Sequence, residues 1–241
     1  MTINSNIKEH AIILCGHGSR NPNYTKDFLS LKSKIKKKFK DTDVLDCFIE
    51  INEPTVDLCI NENIKKYKRF FFFPLLLFEG KHLQKDIQNK LKIISEKRKV
   101  EIILLDKISL IHDILFLLPG VIQPLNKKDY DLLITSCSYS KSNRVIKELE
   151  NYTKKLSNLL KIKNQIFHFA GDEKDVLKKI DCIETNILLH PIFLFDGFLY
   201  NRNIERFSIY KNLSILSPLS QYNSVSSLIS RKLINSVYSL Y

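Results

Sequence analysis

The sequence lacks a long hydrophobic run and lacks cysteine pairs at a metal-binding or redox spacing. Its longest apolar run, residues 70–78, includes Pro74 and is far shorter than the roughly 20 residues of a membrane-spanning helix. The five cysteines are odd in number and form no C-x-x-C pair, which argues against a disulfide framework and a structural zinc site. We therefore expect no membrane span, and reduced thiols in the cytoplasm.

Acidic residues are also few, because 26 Asp and Glu face 38 Lys and Arg, for a formal net charge of +12. Such an excess attracts anionic partners, and charge alone leaves nucleic acid, an acidic membrane surface and a polycarboxylate open. The first ten residues lack the basic-then-apolar layout of a secretory signal, which predicts that the chain is not exported.

Short apolar runs alternate with amphipathic stretches along the whole chain. This alternation is typical of right-handed crossover units on a parallel sheet, and it predicts an α/β fold with mainly parallel four-stranded sheets flanked by helices. The predicted strands cover residues 11–15, 44–51, 69–77, 101–105, 131–135, 165–169, 186–194 and 213–216.

The second half of the sequence repeats the first. Residues 74–80, PLLLFEG, return 117 positions later as PIFLFDG at residues 191–197. Two prolines and a glycine within residues 119–124 indicate a linker between the copies. We therefore expect two tandem lobes, residues 1–124 and 125–241, with a ligand site in the cleft between them.

Two histidines distinguish the copies. His17 follows the first predicted strand in CGHGSR, and His82 follows the third in GKH. At an offset of 120, Cys137 stands in place of His17, and Phe198 and Leu199 replace Lys81 and His82 at an offset of 117. Both histidines are absent from the second copy, which favours a shared functional role for His17 and His82 over a role in core packing. Two neutral imidazoles at the carboxyl ends of strands suit a divalent metal.

Charged residues lie beside both histidines. Glu50 stands at the end of the second predicted strand among apolar neighbours, where an unpaired carboxylate is costly to bury, so it is a candidate metal ligand or proton acceptor. Glu53 is a weaker candidate, because it also fits the start of the following helix. Arg20, Lys81 and Lys85 add positive charge near the expected mouth of the site.

These motifs resemble the class II tetrapyrrole chelatases, specifically sirohydrochlorin cobalt and iron chelatases in their long, two-repeat form. The resemblance rests on the HGSR of residues 17–20, the FIEINEP of residues 48–54, and residues 74–87 with their proline, apolar run, glycine, histidine and final Asp-Ile. It implies two flavodoxin-like lobes that close on sirohydrochlorin in the cleft.

The resemblance also implies an enzyme, a lyase that inserts Co²⁺ or Fe²⁺ without ATP, for cobalamin or sirohaem biosynthesis. His17 and His82 would hold the metal and help to remove pyrrole protons, and Glu50 would assist. Ser19, Arg20, Lys81, Lys85 and Glu53 would contact the macrocycle. No cofactor beyond the metal substrate is expected, and the partners are the tetrapyrrole and the ion, with no nucleic acid and no membrane. The lobes would form a monomer.

Two other functions remain open from sequence. The ligand set also suits Ni²⁺ insertion into the same macrocycle, because the metal preferences overlap. A metal or tetrapyrrole carrier would use the same residues without turnover. Nucleic-acid binding rests on net charge alone, without a basic helix or an aromatic stacking motif.

Overall fold

The computed structural model describes residues 8–77, 81–105, 110–122, 129–180 and 184–239, without the side chains of residues 8 and 81–86. The backbone forms two compact units. One comprises the described residues of Met1–Ser109 together with those of Ser226–Tyr241, and the other comprises those of Leu110–Val225.

The first unit contains a parallel sheet of four strands in the order β2-β1-β3-β4. The strands are β1 (Lys8–Gly16), β2 (Asp43–Phe48), β3 (Tyr67–Pro74) and β4 (Glu101–Leu104). Helices α1 (Pro22–Lys36), α2 (Val56–Asn63) and α3 (Lys81–Arg98) connect them. This alternation confirms the predicted fold class for the first unit.

The second unit repeats this plan in the order β6-β5-β7-β8, again fully parallel. Its strands are β5 (Leu132–Cys137), β6 (Asn164–Phe169), β7 (Ile187–Pro191) and β8 (Leu213–Ile215). Its helices are α4 (Ile111–Ile122), α5 (Asn143–Leu160), α6 (Glu173–Leu177) and α7 (Phe198–Phe207). Helix α8 (Asn223–Tyr238) begins in this unit and belongs mostly to the first.

The cores explain why these segments form strands and helices. Four consecutive phenylalanines of β3, residues 70–73, are buried, as expected of a parallel strand covered on both faces. Helix α1 begins after Asn21, whose side chain accepts the N–H of Asn23, with Pro22 in the first helical turn. Its buried side chains recur at helical spacing and face the sheet: Tyr24, Phe28, Leu31 and Ile35.

The predicted linker is wrong where it can be tested, because residues 119–122 lie inside α4. Pro119 removes one helical hydrogen bond, at a typical cost of about 3 kcal/mol. Leu118 and Ile122 are both buried, and this apolar packing holds the helix together through the proline. Residues 123 and 124 lie outside the described residues. The division of the sequence into repeats at residue 124 stays a prediction.

Backbone bonds past the strand ends show how the copies align. Ile49 N–H donates to Gly16 O in the first unit, and Ala170 N–H donates to Cys137 O in the second. Cys137 therefore takes the place of Gly16, and Ser138 takes the place of His17. The offset of 120 that set Cys137 opposite His17 was wrong by one residue, although the second copy still lacks the histidine.

Candidate functional site

The candidate site lies at the carboxyl edge of the first sheet. Strands β1 and β2 are parallel neighbours, and their last residues, Gly16 and Phe48, lie opposite each other. The loops that follow therefore leave the sheet side by side. His17 is the first residue past β1, and Glu50 is the second past β2.

His17 and Glu50 form the central pair of the site. Nδ1 of His17 lies 3.3 Å from Oε1 of Glu50, and the two side chains are 51% and 56% exposed. Of the two tautomers of a neutral imidazole, a carboxylate beside Nδ1 selects the one that carries its proton on that nitrogen. The lone pair of Nε2 is then available to a metal ion or a proton.

Backbone bonds fix the separation of the two loops. Glu50 N–H donates to His17 O at 3.1 Å, one step beyond the bond from Ile49 to Gly16. Ile51 then adopts a positive φ of 70°, which is rare for a β-branched residue. The turn ends β2 three residues before the predicted end at Ile51 and leaves Glu50 outside the sheet, with an exposed side chain.

Gly18 allows these loops to approach closely. Its φ is +104°, and a Cβ built at this position would lie 1.8 Å from the carbonyl oxygen of Glu50. No side chain fits that space, so the glycine is required both by its backbone conformation and by the contact.

Asn52 and Tyr24 complete the loop contacts, and the sequence analysis missed both. Ser19 N–H donates to Oδ1 of Asn52 at 2.6 Å, and Gly18 N–H donates to the hydroxyl oxygen of the buried Tyr24 at 3.2 Å. Burial raises the pKa of Tyr24, so its hydroxyl stays neutral. Asparagine after a strand is a known signal for a loop-stabilising side chain, but only the fold shows its partner.

The other predicted contact residues have mixed surroundings. Oγ of Ser19 accepts the N–H of Asn21 at 3.1 Å, and Arg20 is exposed. Oε2 of Glu53 accepts the N–H of Thr55 at 2.8 Å, at the residue that caps α2. One carboxylate oxygen of Glu53 therefore supports its own loop.

Lys81, His82 and Lys85 lie in the first turns of α3. Strand β3, which precedes this helix, pairs with β1 on the side opposite β2. The topology therefore brings the start of α3 to the edge that carries His17. The side chains of these three residues lie outside the described residues, as do residues 78–80 of the motif.

Metal-ligand clusters can be assessed only where side chains are described. There, no group of three or more His, Cys, Asp or Glu side chains is placed to hold a metal ion. His17 and Glu50 supply two donors of the kinds that divalent transition metals accept.

The remaining histidines lie elsewhere. His190 is fully buried on β7 with Nε2 2.9 Å from the Tyr152 hydroxyl, and burial lowers its pKa to about 3. His168 is buried on β6. His112 on α4 is exposed and lies 3.4 Å from Oε1 of Glu148.

Comparison with known proteins bears on this geometry. A sequence model of the CbiX family matches residues 11–118, a range that contains His17, Glu50 and His82. Over 90 residues the chain is 30% identical to the sirohydrochlorin cobaltochelatase of Sulfolobus acidocaldarius, covering 37% of this chain and 72% of that protein. The chain belongs to the CbiX family.

A second relative of this CbiX family member is the sirohydrochlorin cobaltochelatase of Methanococcus aeolicus. The two are 35% identical over 89 residues, which cover 35% of this chain and 59% of the relative. The chain thus spans about three fifths of that protein's length. The family assignment confirms the resemblance to class II chelatases.

The fold of the whole chain is also known. The cobalt complex of the sirohydrochlorin chelatase SirB from Bacillus subtilis subspecies spizizenii superposes with a TM-score of 0.74 at 18% identity, covering 95% of both chains. The CbiX family member therefore shares the two-lobed chelatase fold. Within its described residues, no helix has the length and apolar character needed to cross a bilayer.

Proposed function

We propose that this CbiX family member is a sirohydrochlorin chelatase that inserts Co²⁺ or Fe²⁺ without a nucleotide cofactor. The observation that carries the proposal is the exposed His17–Glu50 pair, with 3.3 Å between Nδ1 and Oε1. It lies at the carboxyl edge of a parallel sheet, where α/β proteins bind ligands. The names of the curated relatives supply the substrate.

The reaction exchanges one divalent cation for two pyrrole N–H protons. His17 presents the lone pair of Nε2 towards solvent, so that it first holds the incoming ion and then accepts a proton as the ion moves to the ring nitrogens. Glu50 holds the proton on Nδ1 and stabilises the imidazolium that forms. His82, at the start of α3, is the proposed second nitrogen donor and the acceptor of the second pyrrole proton.

The rim of the site suits an anionic macrocycle. Arg20 is exposed one residue from Ser19, and Lys81 and Lys85 belong to the helix that starts at the same edge. A positive rim attracts the carboxylates of sirohydrochlorin and raises its local concentration. We assign substrate contacts to Ser19, Arg20, Lys81 and Lys85, and a weaker contact to Glu53, whose carboxylate also serves its own loop.

We retain four broader predictions as part of the proposal. The chain works as a monomer in the cytoplasm, its partners are the tetrapyrrole and the metal ion, it binds neither nucleic acid nor membrane, and its sequence divides into repeats 1–124 and 125–241. Its net charge of +12 then serves substrate attraction.

The test is metal insertion under anaerobic conditions, followed by the absorbance of the macrocycle. Sirohydrochlorin is incubated with Co²⁺, Fe²⁺ or Ni²⁺ in separate reactions, each beside an enzyme-free control. We expect insertion above the spontaneous rate, and a loss of at least about 100-fold in His17→Ala because the proton acceptor is removed. Glu50→Gln should lose about 10- to 100-fold.

His112→Ala is the matched control, because it removes an exposed histidine that lies 3.4 Å from a glutamate and belongs to helix α4 of the second unit. It should insert metal at the wild-type rate. A wild-type rate equal to the spontaneous rate contradicts the chelatase proposal. A protein that binds the metal or the macrocycle without inserting the metal is a carrier. Faster insertion of Ni²⁺ than of Co²⁺ or Fe²⁺ would identify a nickel chelatase.

A further inference from the structure

Asn52 joins the two loops that carry the proposed metal-handling pair. Its Oδ1 accepts the N–H of Ser19 at 2.6 Å, two residues past His17. Its own N–H donates to Glu50 O at 2.8 Å. One residue therefore bonds both to the segment after β1 and to the residue that supplies the carboxylate.

The loop that Asn52 holds is strained. Ile51, between Glu50 and Asn52, has a φ of 70°, and a non-glycine residue in this region typically costs about 1–3 kcal/mol. Such a conformation persists only where neighbouring contacts impose it. Three described contacts hold this turn: the backbone bond between Glu50 and His17, the backbone bond from Asn52 N–H to Glu50 O across Ile51, and the bond from Ser19 N–H to the Asn52 side chain.

The two bonds act on different parts of Glu50. The backbone bond fixes the height of Glu50 above the sheet, because it continues the ladder between β1 and β2. It does not fix the direction of an exposed side chain. The Asn52 bond fixes the turn at Ile51, and that turn sets the direction in which the Glu50 Cα–Cβ bond points.

We propose that Asn52 is a positioning residue, which keeps the Glu50 carboxylate beside the His17 imidazole by locking the turn between them. This inference rests on the proposed chelatase function. Without the Oδ1 acceptor, Ser19 N–H loses its partner, Ile51 relaxes to negative φ, and Glu50 moves away from Nδ1 of His17. The histidine then loses the group that orients it.

Asn52 affects the geometry of the site more than the stability of the fold. Asn52 is half-buried and lies past the last residue of β2, whereas the sheet and its core end at Phe48. Variants at this position therefore keep the folded sheet, and their effects are readable in a folded enzyme.

Two substitutions separate the acceptor from the rest of the side chain. Asn52→Leu has a similar size and no acceptor, whereas Asn52→Asp keeps an oxygen that accepts the N–H of Ser19. Thr25→Val is the matched control, because it removes only the weaker partner of Asn52 Nδ2 at 3.5 Å.

We expect Asn52→Leu to lower kcat for cobalt insertion by about 10- to 100-fold, as is typical when a group that orients a ligand is lost. The KM for sirohydrochlorin should change by less than about threefold, because the contacts to the macrocycle remain. Asn52→Asp and Thr25→Val should stay within about threefold of wild type in kcat, since both retain the acceptor.

Hydrogen exchange of the Ser19 amide supplies a measurement independent of turnover. Exchange should accelerate by about tenfold in Asn52→Leu, where the N–H has no acceptor, and remain near wild type in Asn52→Asp. Circular dichroism and thermal melting establish that all variants are folded.

The outcomes discriminate between this inference and the function beneath it. An active wild type with equal kcat in Asn52→Leu overturns the positioning role and leaves the chelatase intact. A slow Asn52→Leu variant that Asp does not rescue also overturns the role, because the acceptor is then irrelevant. An inactive wild type overturns the proposed function, and the positioning role with it.

Discussion

The carboxyl edges of the two sheets contain different chemistry at matching positions. Cys15 and Cys47 lie opposite each other near the ends of β1 and β2, and Ser136 and His168 lie opposite each other near the ends of β5 and β6. Both pairs are buried. In the first unit this layer is made of thiols. A hydrogen bond with Cys15, together with burial, raises the pKa of the Cys47 thiol, which keeps it uncharged and unreactive.

In the second unit the same layer starts a buried polar network. Ser136 Oγ donates to Asn203 Oδ1 at 2.8 Å, and Asn203 Nδ2 donates to Oε1 of Glu173 at 3.3 Å. The same oxygen accepts the N–H of Gly171 at 2.7 Å. The network ties α6, α7 and the loop after β6 together.

The same fold therefore carries an exposed polar pair in one unit and a buried structural network in the other. The first unit buries two thiols and keeps its histidine–glutamate pair in exposed loops, open to the proposed substrate. The second unit buries the hydrogen-bonded side chains of Ser136, Asn203 and Glu173, and this network rigidifies its loops. Glu50 of the first unit corresponds by loop hydrogen bonding to Gly171 of the second, so the second edge lacks the carboxylate as well as the histidine.

The largest expected effect comes from the two glycines with positive φ. Gly18→Ala places a Cβ 1.8 Å from the Glu50 carbonyl oxygen, so we expect a loss of about 2–4 kcal/mol in the free energy of unfolding and the loss of metal insertion. Gly171→Ala meets no atom within 4 Å and should cost only about 1 kcal/mol. Urea unfolding gives the stability of both variants, and the insertion assay gives their activity. Equal losses of stability would show that the loops of the first unit are no more constrained than those of the second.

The second effect concerns two glutamates, one from each unit. Glu173→Ala leaves Gly171 N–H without its acceptor. Of its described contacts with neighbouring side chains, Asn203 Nδ2 then keeps only the long one to His168 Nε2 at 3.5 Å. We therefore expect the substitution to reduce the free energy of unfolding by about 2–3 kcal/mol.

Glu53→Ala removes an exposed bond to Thr55 and should cost less than about 1 kcal/mol. Chemical denaturation of both variants measures the difference. Similar costs would show that the buried network of Glu173 stabilises its unit no more than the exposed bond of Glu53 does.

The smallest effect, about 2 kcal/mol over the measured range from pH 7 to pH 5, is a dependence of stability on pH in the second unit. His190 is fully buried, with its pKa lowered by burial to about 3 from an ordinary 6.5, whereas the matching strand position of the first unit is Phe73. Between about pH 3 and pH 6.5, His190 therefore binds a proton in the unfolded chain but stays neutral in the folded chain. The contribution of neutral His190 to the free energy of unfolding is fully present above about pH 6.5. As the pH falls from there towards 3, the free energy of unfolding decreases by up to about 1.4 kcal/mol per pH unit.

The double variant His190→Leu with Tyr152→Phe removes both partners of this buried bond and should flatten that part of the profile. Unfolding free energies of the two proteins between pH 7 and pH 5 provide the measurement. Parallel profiles would mean that His190 is protonated in the folded state.

The sequence was sufficient to predict the sheets, because apolar runs separated by amphipathic stretches mark strands and helices directly. It placed the ends of β2, β3 and β7 three residues too late and predicted a linker inside α4, and two of these errors have a local reason. The β2 run continues in hydrophobic character to Ile51, but that residue turns away with positive φ. Pro119 signals a break, yet the buried neighbours Leu118 and Ile122 keep α4 helical.

The site was predictable as far as residue types and strand ends determine it. His17 and Glu50 were expected at one site because both stand at the carboxyl ends of predicted parallel strands, and Nδ1 of His17 lies 3.3 Å from Oε1 of Glu50. Asn52 and Tyr24 were missed, since their partners are backbone N–H groups whose positions depend on the loop conformation. The one-residue shift at Cys137 was hidden because the repeats differ in loop length.

The placement of α8 has a consequence for the order in which the units are completed during synthesis. The second unit is one continuous stretch, Leu110–Val225, whereas the first needs Ser226–Tyr241 as well. A ribosome that releases the chain from its amino end therefore supplies all of the second unit before the last part of the first. The unit that begins first in the sequence is therefore completed after the unit that lies within it.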